Sequence, residues 1–171
     1  MSEKTIREKF LRLAQVVPSE FRKLGKVNLD AIAKEVGEMP RKERLLLTQF
    51  GSLMSQLEAL KQIASYDSHS SEMPSLRSGL FFQDLLPLMV FHEFWKDLEI
   101  KGEQLAIIAG IMRSERFNKI RNAIAHAEVG FDSSQLILND RGYKISMNMM
   151  EASKLASCLA CLATLLAIWA S

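Results

Sequence analysis

From Leu46 to Ala64 the chain sets Leu46, Phe50, Leu53, Leu57, Leu60 and Ala64 at alternating spacings of four and three, with polar and charged residues between them. A helix of about 3.6 residues per turn collects such positions on one stripe, whereas a strand would need alternation by two. Five turns of this pattern exclude a sheet as the organising element of the segment. The same period recurs elsewhere. Ile6, Phe10, Leu13 and Val17 predict an amphipathic helix over residues 3 to 17, which Pro18 helps to end. Asn28 or Asp30 caps a short helix running to about Val36.

The polar, small and proline-bearing stretch Ser65 to Ser75 reads as a loop. Residues 80 to 99 are strongly apolar, and Pro87 either opens the main part of a helix from about Pro87 to Glu99, with Asp84 near its cap, or kinks it; the first is the reading adopted. Gly102 separates this from a run that turns Leu105, Ile108 and Met112 to the core. Ser114 caps a further helix carrying Phe117, Ile120 and Ile124. Past Gly130 the period changes: Gln135-Leu136-Ile137-Leu138 and Tyr143-Lys144-Ile145-Ser146 flank the turn Asn139-Asp140-Arg141-Gly142, which predicts a β-hairpin.

The last segment returns to helical spacing with Leu155, Leu159, Leu162, Leu166 and Trp169, and small residues fill the intervening positions. It carries no charge from Leu155 to Ser171. That run falls short of the roughly 20 residues of a membrane span, so burial in a bundle or a dimer interface is expected, and no membrane partner. The N-terminus has no apolar stretch of signal-peptide length, and a cytoplasmic location is expected. Cys158 and Cys161, three apart in this helix, read as small buried residues.

A chain of 171 residues, 48% apolar and 25% charged, suits a single domain over 1–171. Its formal net charge of +2 gives no bulk attraction for nucleic acid or membrane, so an anionic partner has to be met by a local patch. Arg113, Arg116, Lys119 and Arg121 form such a patch in sequence, against Glu115 alone, and are candidate phosphate or RNA ligands. They lead into Arg121-Asn122-Ala123-Ile124-Ala125-His126, where three polar residues interrupt a core-like helix. At about 100° per residue, Asn122 and His126 fall roughly 40° apart on one face, and Arg121 and His126 roughly 140° apart. Two readings stay open on chemistry alone: a phosphate site, or an Asn and His that satisfy backbone groups at a helix end beside solvated arginines. Of the other histidines, His69 reads as solvated in a loop and His92 as a core-edge imidazole with one hydrogen bond. None has a partner at metal-ligand spacing.

This segment, preceded by Phe117 and Ile120 and set late in a chain of long amphipathic helices, resembles the signature of the HEPN superfamily (higher eukaryotes and prokaryotes nucleotide-binding). Members carry an arginine, a polar residue, and a histidine four to six intervening residues after the arginine; here four residues intervene. The resemblance implies an all-α fold, an up-and-down four-helix bundle over about 40–171, with extra N-terminal helices over about 1–39 and the small hairpin before the last helix. It implies a homodimer in which two motifs face one cleft. In active members that cleft is a metal-independent endoribonuclease of toxin, phage-defence or stress-response systems, with Arg121, Asn122 and His126 as the catalytic residues. RNA is then the partner, with an antitoxin protein of nucleotidyltransferase or other type, and neither metal nor cofactor is called for. The alternative within the family is a non-catalytic dimer that binds a nucleotide or a protein. One subgroup has a tyrosine two residues after the histidine; here that position is Glu128, so regulation through that tyrosine is not expected, and Glu128 reads as a solvated carboxylate.

Overall fold

A computed structural model describes residues 1–67, 74–126, 128–132 and 135–171, with only the backbone described at 58, 60–67, 74–84, 97 and 131–132. The chain is mostly helical, with one small antiparallel sheet. Helix α1 (Glu3–Ala14) is capped by Ser2, whose side chain accepts from the Thr5 N–H. A 3-10 helix over Ser19–Lys26, absent from the sequence reading, leads to α2 (Leu29–Gly37). Asn28 caps α2 by accepting from the Asp30 and Ala31 N–H groups, which leaves Asp30 in the first turn, where a carboxylate complements the helix dipole. Then follow α3 (Arg41–Asp67), α4 (Pro74–Asp97), α5 (Glu103–Met112) and α6 (Glu115–Ala125). Strands β1 (Val129–Asp132), β2 (Gln135–Asp140) and β3 (Tyr143–Asn148) precede α7 (Met149–Ala170).

The apolar C-terminal helix is the centre of the core. Leu155, Leu159, Leu162 and Leu166 are fully buried, and α7 packs on α3, α1, α4 and α2. By length and composition α7 could cross a membrane, yet 61% of its apolar window is buried inside the protein. Cys158 and Cys161 are buried there without a disulfide, and burial pushes the Cys158 thiol far above its ordinary range. Trp169 closes the far end: its Nε1 donates to Glu3 at 2.9 Å while Arg7 lies over the ring. The N-terminal helix therefore shares the core of α7 through Ile6, Phe10 and Ala14.

Four local expectations are corrected. In α3 the buried stripe is Leu47, Phe50 and Met54, while Leu46 and Leu53 are 42% and 43% exposed. Gly51 explains the rotation: an added Cβ there would collide with the Ala167 side chain and the Ala163 carbonyl, so this face lies against the backbone of α7. Pro87 does not open α4 but sits inside it. Proline costs a helix interior about 3 kcal/mol, and the burial of Leu85, Leu88, Phe91 and Trp95 along the same helix is set against that cost.

The expected loop begins and ends later and earlier than read, because α3 runs to Asp67 and α4 starts at Pro74. Residues 68–73, His69 among them, lie outside the described residues. The hairpin turn, finally, has two residues and not four. Asp140 pairs with Tyr143, and Arg141 (φ 47°) and Gly142 (φ 86°) both take positive φ, the type I′ arrangement whose twist suits a two-residue hairpin. β1 adds an unforeseen third strand on β2, with Val129 opposite Leu138. Leu136, Leu138, Ile145 and Met147 alternate onto the buried face of the sheet, and β2 lies against α6.

Candidate functional site

Helix α6 is held by its own apolar face. Phe117, Ile120, Ala123 and Ile124 are buried, and Ser114 caps the helix by accepting from the Phe117 N–H at 3.3 Å. Its polar residues are thereby dealt to two flanks. Arg121 turns toward α4, and its Nε donates to Glu93 Oε1 at 2.5 Å while Nη1 donates to Asn122 Oδ1 at 2.9 Å. Asn122 in turn faces the hairpin and donates from Nδ2 to Asp140 Oδ2 at 3.5 Å.

The helix ends at Ala125, so His126 is the C-cap with φ −93° and ψ 5°. Its backbone N–H donates to the Asn122 carbonyl at 2.9 Å. The imidazole is exposed and has no hydrogen-bond or ion-pair partner among the described residues. Arg121 and Asn122 are thus joined directly, and His126 stands one turn away at the open end of the helix. Glu128 is exposed as well.

The cationic run is divided among several neighbours. Arg113 donates from Nε and Nη2 to the Trp95 carbonyl at 3.1 and 2.8 Å, and from Nη2 to the Leu98 carbonyl at 3.0 Å, satisfying carbonyls in and just past the last turn of α4. Arg116 pairs with Glu20 of the 3-10 helix at 3.2 Å. Lys119 pairs with Glu115 at 2.7 Å and sets its Nζ 3.3 Å from the centre of the Tyr143 ring. The Glu115 hydrogen bond raises the Lys119 pKa and correspondingly lowers that of Glu115. The four cations therefore do not converge on one point of the protomer.

Between α4 and α6 lies a small cavity of about 250 Å³ lined by His92, Glu93, Lys96, Arg113, Asn118 and Arg121. His92 is buried, as its core-edge reading required, and its ring is stacked on Phe117. Its Nε2 lies 2.7 Å from Asn118 Oδ1. Because Asn118 Nδ2 donates to the Arg113 carbonyl, Oδ1 is the acceptor and His92 Nε2 carries the proton. His92 Nδ1 has no hydrogen bond but stands 3.5 Å from Glu93 Oε1, the same oxygen that receives Arg121. Partial burial raises the Glu93 carboxyl, but the hydrogen bond and charge of Arg121, then His92 and Lys96, outweigh it and hold the group below its ordinary value.

Sequence reading singled out Arg121, Asn122 and His126 but not Glu93 and Asp140, which bond to Arg121 and Asn122 from other elements, nor Asn118, which holds His92. Glu93 beside His92 in an apolar helix was the one available signal. Among the described residues no three His, Cys, Asp or Glu side chains gather as metal ligands would. No family model, no curated protein and no solved structure matches this chain.

Proposed function

We propose that the protein is a metal-independent endoribonuclease of HEPN type, working as a toxin, phage-defence or stress-response effector on RNA at a cleft formed by two copies of the chain. In this reading α3, α4, α6 and α7 are the four helices of the HEPN-like bundle. The observation that carries it is the end of α6, where an exposed His126, without a partner among the described residues, follows an Arg121–Asn122 pair already oriented by Glu93 and Asp140. Within one protomer no hydrogen bond joins Arg121 to His126. Two copies related by a two-fold axis supply each motif with the other's imidazole and guanidinium across one phosphate.

The chemistry follows from the residue types. The ribose 2′-oxygen attacks the adjacent phosphorus and loses its proton as the bond to the 5′-oxygen breaks, and that leaving oxygen gains a proton; the product is a 2′,3′-cyclic phosphate. An imidazole can accept a proton at one ring nitrogen and donate from the other, so His126 suits either proton transfer. Arg121 offers its remaining guanidinium donors to the phosphate oxygens as charge builds, and Asn122 keeps that guanidinium in place.

The test is cleavage of RNA in EDTA by the wild-type chain and by His126→Ala and Arg121→Ala. Loss of cleavage in both variants supports the reading, whereas activity that vanishes with chelator or survives both substitutions overturns it. The engagement of Arg121 by Glu93 and Asn122 inside one protomer favours a second reading, a non-catalytic HEPN dimer that binds a nucleotide or a protein. Dimerisation with no RNA cleavage and saturable nucleotide binding by calorimetry supports that reading over the first.

A further inference from the structure

The hairpin extends past the core it covers. Residues 136, 138 and 140 of β2 and 143, 145 and 147 of β3 share the inner face of the sheet, by alternation and register. Leu136, Leu138, Ile145 and Met147 use that face to close the core. The last rung, Asp140 opposite Tyr143, lies beyond it and reaches α6 instead: Asp140 accepts from Asn122, and Tyr143 lies beneath Lys119 Nζ. Both residues of the closing rung thus tie the hairpin tip to the motif helix.

Tyr143 is an unusual ring for this fold. Phe10, Phe21, Phe91, Trp95 and Phe117 are all fully buried, whereas Tyr143 is 62% exposed and is the one exposed aromatic among the described residues. It is held nonetheless by a lysine ammonium over its ring, and it directly follows the two-residue turn. Arg141, in that turn, is exposed and has no ion-pair partner among the described residues. An exposed ring backed by a lysine, with an exposed arginine two residues before it and Asn122 one side chain away, fits an unpaired base followed by its phosphate.

We propose that Tyr143 is a stacking platform for a base of single-stranded RNA next to the Arg121–His126 motif, with Lys119 backing the ring and Arg141 of the turn the cation open to the adjoining phosphate. This rests on the ribonuclease reading for its substrate class, though not for its test. A duplex keeps its bases stacked on one another and does not offer the ring a free face. Stacking also tolerates every base, so the platform sets strandedness and position and not sequence.

The probe is a fluorescein-labelled 2′-O-methyl oligonucleotide of about twelve nucleotides, which cannot be cut through a 2′-hydroxyl, titrated by anisotropy with the full chain. Tyr143→Ala is expected to weaken binding about tenfold and Tyr143→Phe by less than about twofold, with a duplex of the same sequence no tighter than Tyr143→Ala on the single strand. Because Tyr143 is exposed, both variants keep the fold, which circular dichroism checks. Undiminished binding by Tyr143→Ala, equal losses in Ala and Phe variants, or no saturable binding by the wild type overturns the platform. Cleavage of ordinary RNA separates the two ideas. If the wild type cuts nothing but Tyr143→Ala still loses binding, the platform stands and the ribonuclease reading falls; the reverse pattern removes the platform alone.

Discussion

Glu93 on α4 and Arg121 on α6 are joined by a hydrogen bond from Nε to Oε1, and with the bond from Nη1 to Asn122 it sets which way the motif's guanidinium points. The two side chains are 40% and 31% exposed, so solvent screens the pair. A double-mutant cycle of Glu93→Ala and Arg121→Ala in urea unfolding is expected to give a coupling below about 1 kcal/mol, small for so short a contact. A larger coupling would mean that the pair is a support of the fold as well as an orienting contact.

The same pair predicts an acid limb. The Glu93 carboxyl is held below its ordinary value of 4.5, so its ionised form is the one the fold favours. A depressed carboxylate contributes stability that is fully present above the unfolded value and is lost as pH falls through the folded one. Wild-type urea midpoints should therefore decline below pH about 4.5, whereas Glu93→Gln should start lower at neutral pH and fall less steeply. Parallel curves for the two proteins would place the acid sensitivity elsewhere, with Glu3, held down by Trp169 and Arg7, the next carboxylate to replace.

Arg113 gives a prediction that separates support from recognition. Its guanidinium serves the Trp95 and Leu98 carbonyls in partly buried hydrogen bonds, and a charged donor contributes more than a neutral one. Arg113→Ala is expected to lose about 1 to 3 kcal/mol in urea unfolding, and Arg113→Lys to recover only part, because an ammonium cannot reproduce the fork. If Arg113→Ala keeps its stability but loses RNA affinity, the residue is a ligand of the phosphate and not a cap of α4.

What was legible in the chain is what is local. The stripes Leu105, Ile108, Met112 and Leu155, Leu159, Leu162, Leu166 are buried as their spacing required, and Ser114 caps α6. The stripe read through Leu46 was one residue off, because Leu45-Leu46-Leu47 fits three rotations of one helix and the packing of α3 on α7 selects Leu47. The site divides in the same way. Arg121, Asn122 and His126 were visible as a spacing, but the last falls just past the helix end, so its face could not be taken from an angle. Glu93 and Asp140 act on the motif through tertiary contacts that no spacing within the segment encodes.

The glycines offer the sharpest contrast between a tertiary demand and a local preference. Both Gly51 and Gly110 lie in helices, where alanine is favoured over glycine by about 0.5 to 1 kcal/mol in the absence of other contacts. At Gly110 a Cβ meets nothing within 4 Å, so Gly110→Ala is expected to stabilise the protein by about that amount. At Gly51 the new methyl meets the Ala163 carbonyl at 2.8 Å and collides with the Ala167 side chain, and both belong to the helix at the centre of the core. Since α7 cannot retreat without opening its contacts with α1 and α4, the local gain is overturned. Gly51→Ala is expected to cost about 1 to 3 kcal/mol net, lowering Tm by roughly 2 to 12 °C. Thermal unfolding of the two variants side by side checks the pair, and a Gly51→Ala protein as stable as Gly110→Ala would show that α3 and α7 do not approach through this glycine.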